Sequence, residues 1–275
     1  MRAAQSRAGG KPDLRLVRAE MERATVRTLE NSKPIALAEG QPNFVASPGA
    51  LPAGSRIYAI GDIHGQAEKL RALHRAVTED MRRRPIASAR VIYLGDYIDW
   101  GPDSAGVLEM LAGGEATIPA IHLIGDHEQM LMDALDGDNA AATDWLHSGG
   151  RVTLTGWGID LDAPRDRWAA QIPPAQLNFL RRLVLRYRAG NYLFVHAGIR
   201  PGVKSAEQTR QDLLGIREPF LSTPRGLGRV VVHGHTISAG PVIRFNRIGV
   251  DTGAGLGGNL TAAILEAGQV GFICF

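Results

Sequence analysis

The feature that most limits what this chain can fold into is a threefold pattern in its first half. Three β-prone runs each end in Gly-Asp: Ile57–Ile60 before Gly61-Asp62, Val91–Leu94 before Gly95-Asp96, and Ile118–Ile124 before Gly125-Asp126. A stretch of helical texture follows each one, over Gln66–Arg83, Ser104–Leu111 and Glu128–Leu135. Strand, turn and helix repeated in this way predict parallel β-α-β units. In a parallel sheet the residues just past the strand ends meet along one edge, where such sheets bind ligands. Glycine permits the sharp turn, and the aspartate after it then faces the crevice. A single Gly-Asp is ordinary turn chemistry, but three in corresponding positions predict a site.

Histidines are interleaved with these turns. His64 lies in Gly-Asp-Ile-His-Gly, His127 in Gly-Asp-His-Glu, His196 in Val-His-Ala-Gly and His235 in His-Gly-His-Thr. Further strands are expected at Tyr192–Val195, Val230–Val232, Val242–Phe245, Leu260–Leu265 and Val270–Ile273, with helical segments at Ala140–Ser148 and Pro174–Arg182. Clustered Asp and His with no useful Cys suit a hard or borderline divalent ion such as Mn²⁺, Fe²⁺ or Zn²⁺. Five to seven ligands exceed the needs of one ion. A shared aspartate between two ions is the simplest alternative, and such sites activate water and clamp phosphoryl oxygens.

In this order the blocks Gly61-Asp62-Ile63-His64-Gly65, Gly95-Asp96-Tyr97-Ile98-Asp99, Gly125-Asp126-His127-Glu128, His196-Ala197-Gly198 and Gly234-His235-Thr236 resemble the phosphoprotein phosphatase family of calcineurin-like metallophosphoesterases. The segment from Asp251-Thr252-Gly253-Ala254 to Ala262 resembles that family's closing strands. The resemblance implies an α/β fold, a four-layer αββα sandwich of two mixed sheets flanked by helices. It implies two divalent ions, Mn²⁺ first, with Asp62 and His64 on one, Asp96 bridging, and Asp126, His196 and His235 on the other. A metal-bridged hydroxide would attack phosphorus. His127, oriented by Asp99, would protonate the leaving oxygen, and Arg217 would bind phosphate.

Two positions depart from the family pattern. Trp100 stands where the family has arginine, and Asp126 where it has asparagine. An indole offers one N–H and no charge in place of a guanidinium fork, and an aspartate keeps a ligand oxygen but loses an amide donor. Missing a charge-assisted pair costs about 1.5–3 kcal/mol. Three outcomes stay open: a Ser/Thr-type phosphatase with reduced monoester turnover, a shift toward phosphodiesters or toward an aromatic leaving group stacked on Trp100, and a metal-binding pseudophosphatase. A dinucleoside polyphosphate hydrolase is a further alternative. The expected substrate is a phosphorylated protein or a small phosphoester.

Charge places no nucleic acid on this body. The chain has 31 Lys and Arg against 28 Asp and Glu, but the first 50 residues hold eight of the bases and five of the acids, which leaves the remainder balanced. Residues 1–54 read as a basic extension with a Pro/Gly linker, and residues 55–275 as the phosphoesterase domain. In the extension Leu14, Val17, Met21 and Ala24 share a helical stripe, whose two readings are docking on a partner and packing on its own domain. A single cysteine, Cys274, excludes an internal disulfide, and no apolar run reaches the length of a membrane span. With an Arg-rich N-terminus and no apolar leader segment, the expected location is cytoplasmic. Outside the blocks, His74, His122 and His147 are expected in surface or core roles. His233 is expected beside the site at most, Trp100 as a packed hydrophobe at the crevice rim, Asp103 as a helix N-cap and Cys274 in the core.

Overall fold

The computed structural model describes residues 42–113 and 118–275. The helix expected around Leu14–Ala24 lies outside the described residues. Among the described residues, eleven strands form two mixed sheets. The first has the order β1-β11-β10-β2-β3-β4, with β1 at Val45–Ala46, β2 at Ser55–Ile60, β3 at Ser88–Tyr93, β4 at Ala120–His122, β10 at Thr261–Glu266 and β11 at Gln269–Cys274. In it β2, β3 and β4 run parallel, while β10 lies antiparallel to β2. The second has the order β5-β6-β7-β9-β8, with β5 at Arg186–Ala189, β6 at Tyr192–Val195, β7 at Val230–His233, β8 at Val242–Arg244 and β9 at Arg247–Gly249.

Strand alternation produces the layers. On β2, Tyr58 and Ile60 face the helices while Ile57 and Ala59 face the other sheet. Tyr192, Phe194, Val230 and Val232 meet them from the second sheet, so one apolar layer is shared by both sheets. Leu193, Val195 and Val231 point the opposite way, toward Leu213, Ile216 and Phe220. Complete burial of each such side chain contributes about 1.5–3 kcal/mol. The outer face of the second sheet has a thin cover, with α8 (Arg210–Gly215) as its α-helix among the described residues.

The helix α1 (Ala67–Arg83) buries Ala67, Leu70, Leu73 and Val77 on one stripe, and Arg82 and Arg83 sit in its last turn, favourably for the helix dipole. Pro85 just beyond prevents continuation. The helix α2 (Ser104–Ala112) begins at Asp103, whose side chain accepts from Gly106 N, as expected of an N-cap. The helix α3 (Asp126–Leu135) starts two residues earlier than periodicity suggests, because Gly125 serves as its N-cap. Further helices are α4 (Asn139–Trp145), α5 (Arg151–Gly156), α6 (Trp168–Gln171) and α7 (Pro174–Leu180), and a π-helical turn at Leu146–Gly150 joins α4 to α5. Among the described residues no helix is long and apolar enough to cross a membrane.

Some elements differ from expectation for identifiable reasons. β4 is short because Val184 intervenes: its N–H donates to His122 O, and its carbonyl accepts from Ile124 N. The run Val242–Phe245 ends at Arg244, where the chain turns into β9, a strand periodicity missed. β5 escaped notice because Arg186 and Arg188 occupy alternate positions, a polar pattern that suits an edge strand. Residues 42–54 also contribute to the body. Val45 pairs with Val270, Leu51 enters the layer between the sheets, and Ser47 Oγ lies 2.6 Å from Tyr192 OH.

Candidate metal centre and its surroundings

β2 and β3 are in register from Ser55 with Ser88 to Ile60 with Tyr93, so their Gly-Asp turns emerge side by side. The backbone N–H groups of Ile63 and His64 both donate to Asp96 O at 2.9 Å. From the second sheet, β6 leads into His196 and β7 into Gly234-His235, and Gly234 N donates to His196 O at 2.8 Å. The contact between the second and third turns is so close that a Cβ on Gly125 would fall 2.0 Å from Asp96 Oδ1. Six described non-glycine residues have positive φ, and His64, Asp96, Asp99, Trp100 and His235 are five of them. Strain of this kind costs of order 1–3 kcal/mol per residue and persists only where the surroundings dictate it.

Two sets of side chains bring possible ligand atoms within 4.8 Å of one another: Asp96, Asp126, His196 and His235, and separately His64, Asp96 and His127. Asp96 belongs to both. His64 Nδ1 donates to Ile98 O at 2.8 Å, which leaves Nε2 with its lone pair, 3.4 Å from Asp96 Oδ2. His196 Nδ1 likewise donates to Leu94 O at 2.8 Å, directing Nε2 toward Asp126 Oδ1 at 2.8 Å. A backbone carbonyl that fixes the tautomer in this way is the usual support for a metal-binding histidine. Asp62 falls outside both sets. Its Oδ2 accepts from His235 N at 2.9 Å, and its Oδ1 is buried without a hydrogen-bond partner, as is His235 Nε2.

The electrostatics fit divalent ions. Asp62, Asp96 and Asp251 are each 3% exposed or less, and Glu128 is fully buried. None of the four has an Arg or Lys ion-pair partner among the described residues. Burial raises the pKa of Asp62, and Asp251 and Asp96 push it further up. Burial and the charge of Asp126 do the same to Asp96. Asp251 is pushed up to about 6 by burial, against a hydrogen bond from Gly253 N. His64 is lowered to about 3, by burial and by neighbouring His127, so its imidazole stays neutral. Burial would raise Asp126, yet its contacts with His196 and His235 hold it well below the usual carboxylate range. Burial keeps His235 low as well, whereas His196 is raised to about 9, against burial, by its bond to Asp126 and the charge of Asp62. Crowded, solvent-poor carboxylates that draw a proton onto a neighbouring imidazole form a donor set that a cation would relieve.

His127 Nδ1 donates to Asp99 Oδ2 at 2.7 Å. Burial works against its protonation, but the charge of Asp96 and the bond to Asp99 raise it to about 10. Asp99 itself is fully buried, accepting from Trp145 Nε1 at 2.8 Å and from Thr153 Oγ1 at 2.5 Å. Sequence reasoning missed Trp145 and Thr153, which lie about fifty residues away and carry no local signal. It also missed the work of Glu128, whose carboxylate accepts from Asp96 N, Tyr97 N, Ile98 N and Gly125 N at 2.8–3.3 Å. The Glu that closes Gly-Asp-His-Glu was visible, but its partners were not.

Arg217 is exposed, and its positive charge disfavours protons on both His235 and Asp251. Trp100 is half-buried and packed at the site. Its indole stacks on His64 with centroids 4.8 Å apart, meets His127 edge-on at 5.5 Å, and donates Nε1 to Ser148 O. His233 is buried behind the site with its ring against Phe220. His122 stacks on Tyr93, whose hydroxyl lies 2.8 Å from His74 Nε2, and His147 is an exposed residue of the turn after α4. Cys274 is buried.

Comparison with known proteins agrees with this geometry. The family model described as calcineurin-like phosphoesterase matches residues 55–274. Serine/threonine-protein phosphatase 1 of Salmonella typhimurium is 30% identical over 215 residues, which is 76% of this chain and 92% of that protein. The asymmetrical bis(5'-nucleosyl)-tetraphosphatase PrpE of Anoxybacillus flavithermus is 26% identical, over 74% of this chain and 87% of its own. The crystal structure of a cold-active protein-tyrosine phosphatase from a psychrophilic Shewanella shares the fold, with a TM-score of 0.54 at 18% identity over 81% of this chain and 80% of that one. Strand-end aspartates, carbonyl-supported histidines and a match over four-fifths of the sequence lead to one assignment: the chain belongs to the calcineurin-like phosphoesterase family of metal-dependent hydrolases.

Proposed function

We infer that this protein hydrolyses phosphate esters in the manner of a Ser/Thr phosphatase, with two divalent ions, Mn²⁺ first, and with a weakened hold on dianionic monoesters. The observation that carries the metal reading is the carboxylate cluster Asp62, Asp96 and Asp251, buried without an arginine or lysine partner among the described residues. Asp96, Asp126, His196 and His235 would hold one ion, and His64, Asp96 and Asp62 the other, with the free Oδ1 of Asp62 available for the purpose. When bound, such ions supply water activation and neutralisation of phosphoryl charge.

The remaining steps fall to the chain's own residues. His127, with Nδ1 held by Asp99, keeps its proton at neutral pH and presents Nε2 as the acid for the leaving oxygen. The buried bonds from Trp145 and Thr153 fix the Asp99 carboxylate, so the imidazole has one orientation. Arg217 binds phosphate oxygens from the exposed side. Trp100 lends no hydrogen bond to phosphate, because its N–H is already engaged by Ser148 O. Asp126 brings a charge where an amide donor would help, so a dianionic substrate meets more repulsion and fewer donors than a monoanionic one.

A second reading, hydrolysis of dinucleoside polyphosphates, draws support from the tetraphosphatase relatives and from two exposed arginines, Arg210 beside Gln129 of α3 and Arg217, in one stretch outside the second sheet. The substrate would be a polyphosphate chain laid along that stretch.

The test is an assay of the full chain with Mn²⁺ on p-nitrophenyl phosphate, bis-p-nitrophenyl phosphate, a phosphoserine peptide and diadenosine tetraphosphate. Metal-dependent turnover of the monoester and the peptide is expected. Two bound ions without turnover of any substrate would instead leave a metal-binding module. A preference for the tetraphosphate by more than about a hundredfold in kcat/KM, or about 2.7 kcal/mol, would favour the second reading.

A further inference from the structure

Trp100 is held in place more firmly than packing alone requires. It has φ 64 and follows Asp99 at φ 74, two successive left-handed residues that are not glycine. Its Nε1 is anchored by Ser148 O in the π-helical turn Leu146–Gly150. The neighbouring Gly149, at φ 113, lies so close that a Cβ there would fall 2.1 Å from Trp100 Cδ1. So anchored, the indole lies parallel to the His64 imidazole, with 10° between the ring planes. The backbone of Gly255 closes on the same imidazole, where a Cβ would come within 2.7 Å of His64 Cβ.

The hydrogen bond from His64 Nδ1 to Ile98 O fixes one point of that ring but leaves it free to pivot about the bond. A parallel stack removes the pivot, because tilting the imidazole would open the contact on one side and close it on the other. We propose that Trp100 is a positioning residue for metal binding: clamped by the 146–150 turn, it sets the plane of His64 so that Nε2 presents its lone pair beside Asp96. This rests on the reading of His64 as a ligand. The same indole stands edge-on to His127, whose ring meets His64 at 80° and 4.8 Å. The indole thus touches both the ring that would bind metal and the ring that carries a proton, which also meet each other.

The exchange of a guanidinium for an indole at this position therefore has two sides. A phosphate donor is absent, and a metal ligand is more rigidly held. Removing an outer partner of a ligating histidine typically weakens metal binding by about 10- to 100-fold.

The experiment is a Mn²⁺ titration of the full chain, read by electron paramagnetic resonance of free Mn²⁺ and by calorimetry, for wild type, His64→Ala, Trp100→Ala, Trp100→Phe and Gly149→Ala. Wild type should bind two ions, and His64→Ala should lose one. Trp100→Ala should weaken that same ion by about tenfold or more and leave the other unchanged. Trp100→Phe, which keeps a stacking ring, should recover most of the loss. Gly149→Ala, which leaves the tryptophan in the chain but pushes its ring, should weaken the same ion, and it stands in if Trp100→Ala does not fold. If His64→Ala binds both ions like wild type, the ligand reading fails. If His64→Ala loses one ion while Trp100→Ala and Gly149→Ala bind as wild type, the clamp is wrong and the ligand reading stands. Equal weakening of both ions in Trp100→Ala, or no recovery in Trp100→Phe, also overturns the clamp.

Discussion

Strand β2 has a cluster of charged side chains at each end. At its start, Arg56 is 2% exposed and donates to Glu266 at 2.8 Å, to Asp80 at 3.3 Å and to Arg84 O at 2.7 Å. Arg84 adds bonds to Asp80 at 2.7 Å and to Glu266 at 3.0 Å, and Tyr58 OH reaches Asp80 at 2.5 Å. Two guanidinium groups face two carboxylates, and the cluster is closed by its own members. Past the other end of the same strand, Asp62 joins Asp96 and Asp251 with imidazoles for company and no guanidinium in ion-pair range among the described residues. One end is neutral by construction. The other crowds carboxylates in a dry place, a strain that an added cation would relieve.

Substitutions at the two ends should therefore behave oppositely. Asp96→Asn, at the residue common to both ligand sets, should lower kcat on p-nitrophenyl phosphate by about 10³-fold or more, a loss of several kcal/mol of charge stabilisation. In metal-free protein the same change should raise the urea midpoint, because it removes a buried, repelled charge. Asp80→Asn should do the reverse, leaving kcat within about twofold of wild type while destabilising the fold by about 3–5 kcal/mol in urea, since it breaks a buried pair. Loss of stability in metal-free Asp96→Asn as large as that in Asp80→Asn would erase the contrast.

Adding Mn²⁺ sharpens it further. At about a hundred times Kd, metal should stabilise wild type by about 2.7 kcal/mol per site. Asp80→Asn should gain the same increment and Asp96→Asn little, as read by thermal unfolding with and without a chelator. Chelation should abolish turnover and Mn²⁺ should restore it.

The smallest effect concerns the proton on His127. Its pKa is raised to about 10, above the ordinary histidine value, so in metal-free protein the ring should remain protonated through pH 8 by imidazole NMR. The charge of Asp99 favours that protonated form. Asp99→Asn should therefore lower the midpoint, by about one to three pH units. A midpoint that does not move would show that Asp96 alone holds the proton.

How much of this was legible beforehand follows the range of the interactions. The Gly-Asp turns and the histidines after β6 and β7 are local features, each set by a strand ending in a tight turn, and they arrive where strand periodicity puts them. The partners of Asp99 are not local. Trp145 and Thr153 come from α4 and α5 and have no pattern that links them to a carboxylate fifty residues earlier. Residue type revealed that Trp100 could offer one N–H, but only packing reveals that Ser148 takes it. Asp62 was readable as a site residue, while its turn toward His235 depends on how two sheets meet.

Glu128 carries a consequence for anyone recombining such proteins. One carboxylate gathers amides from both the Asp96–Ile98 turn and Gly125, so the two turns share a single fastener. Neither turn is a portable module. A chimera that swaps either loop without a glutamate at this place would leave four amides competing for water in a sealed space, and both turns would loosen together.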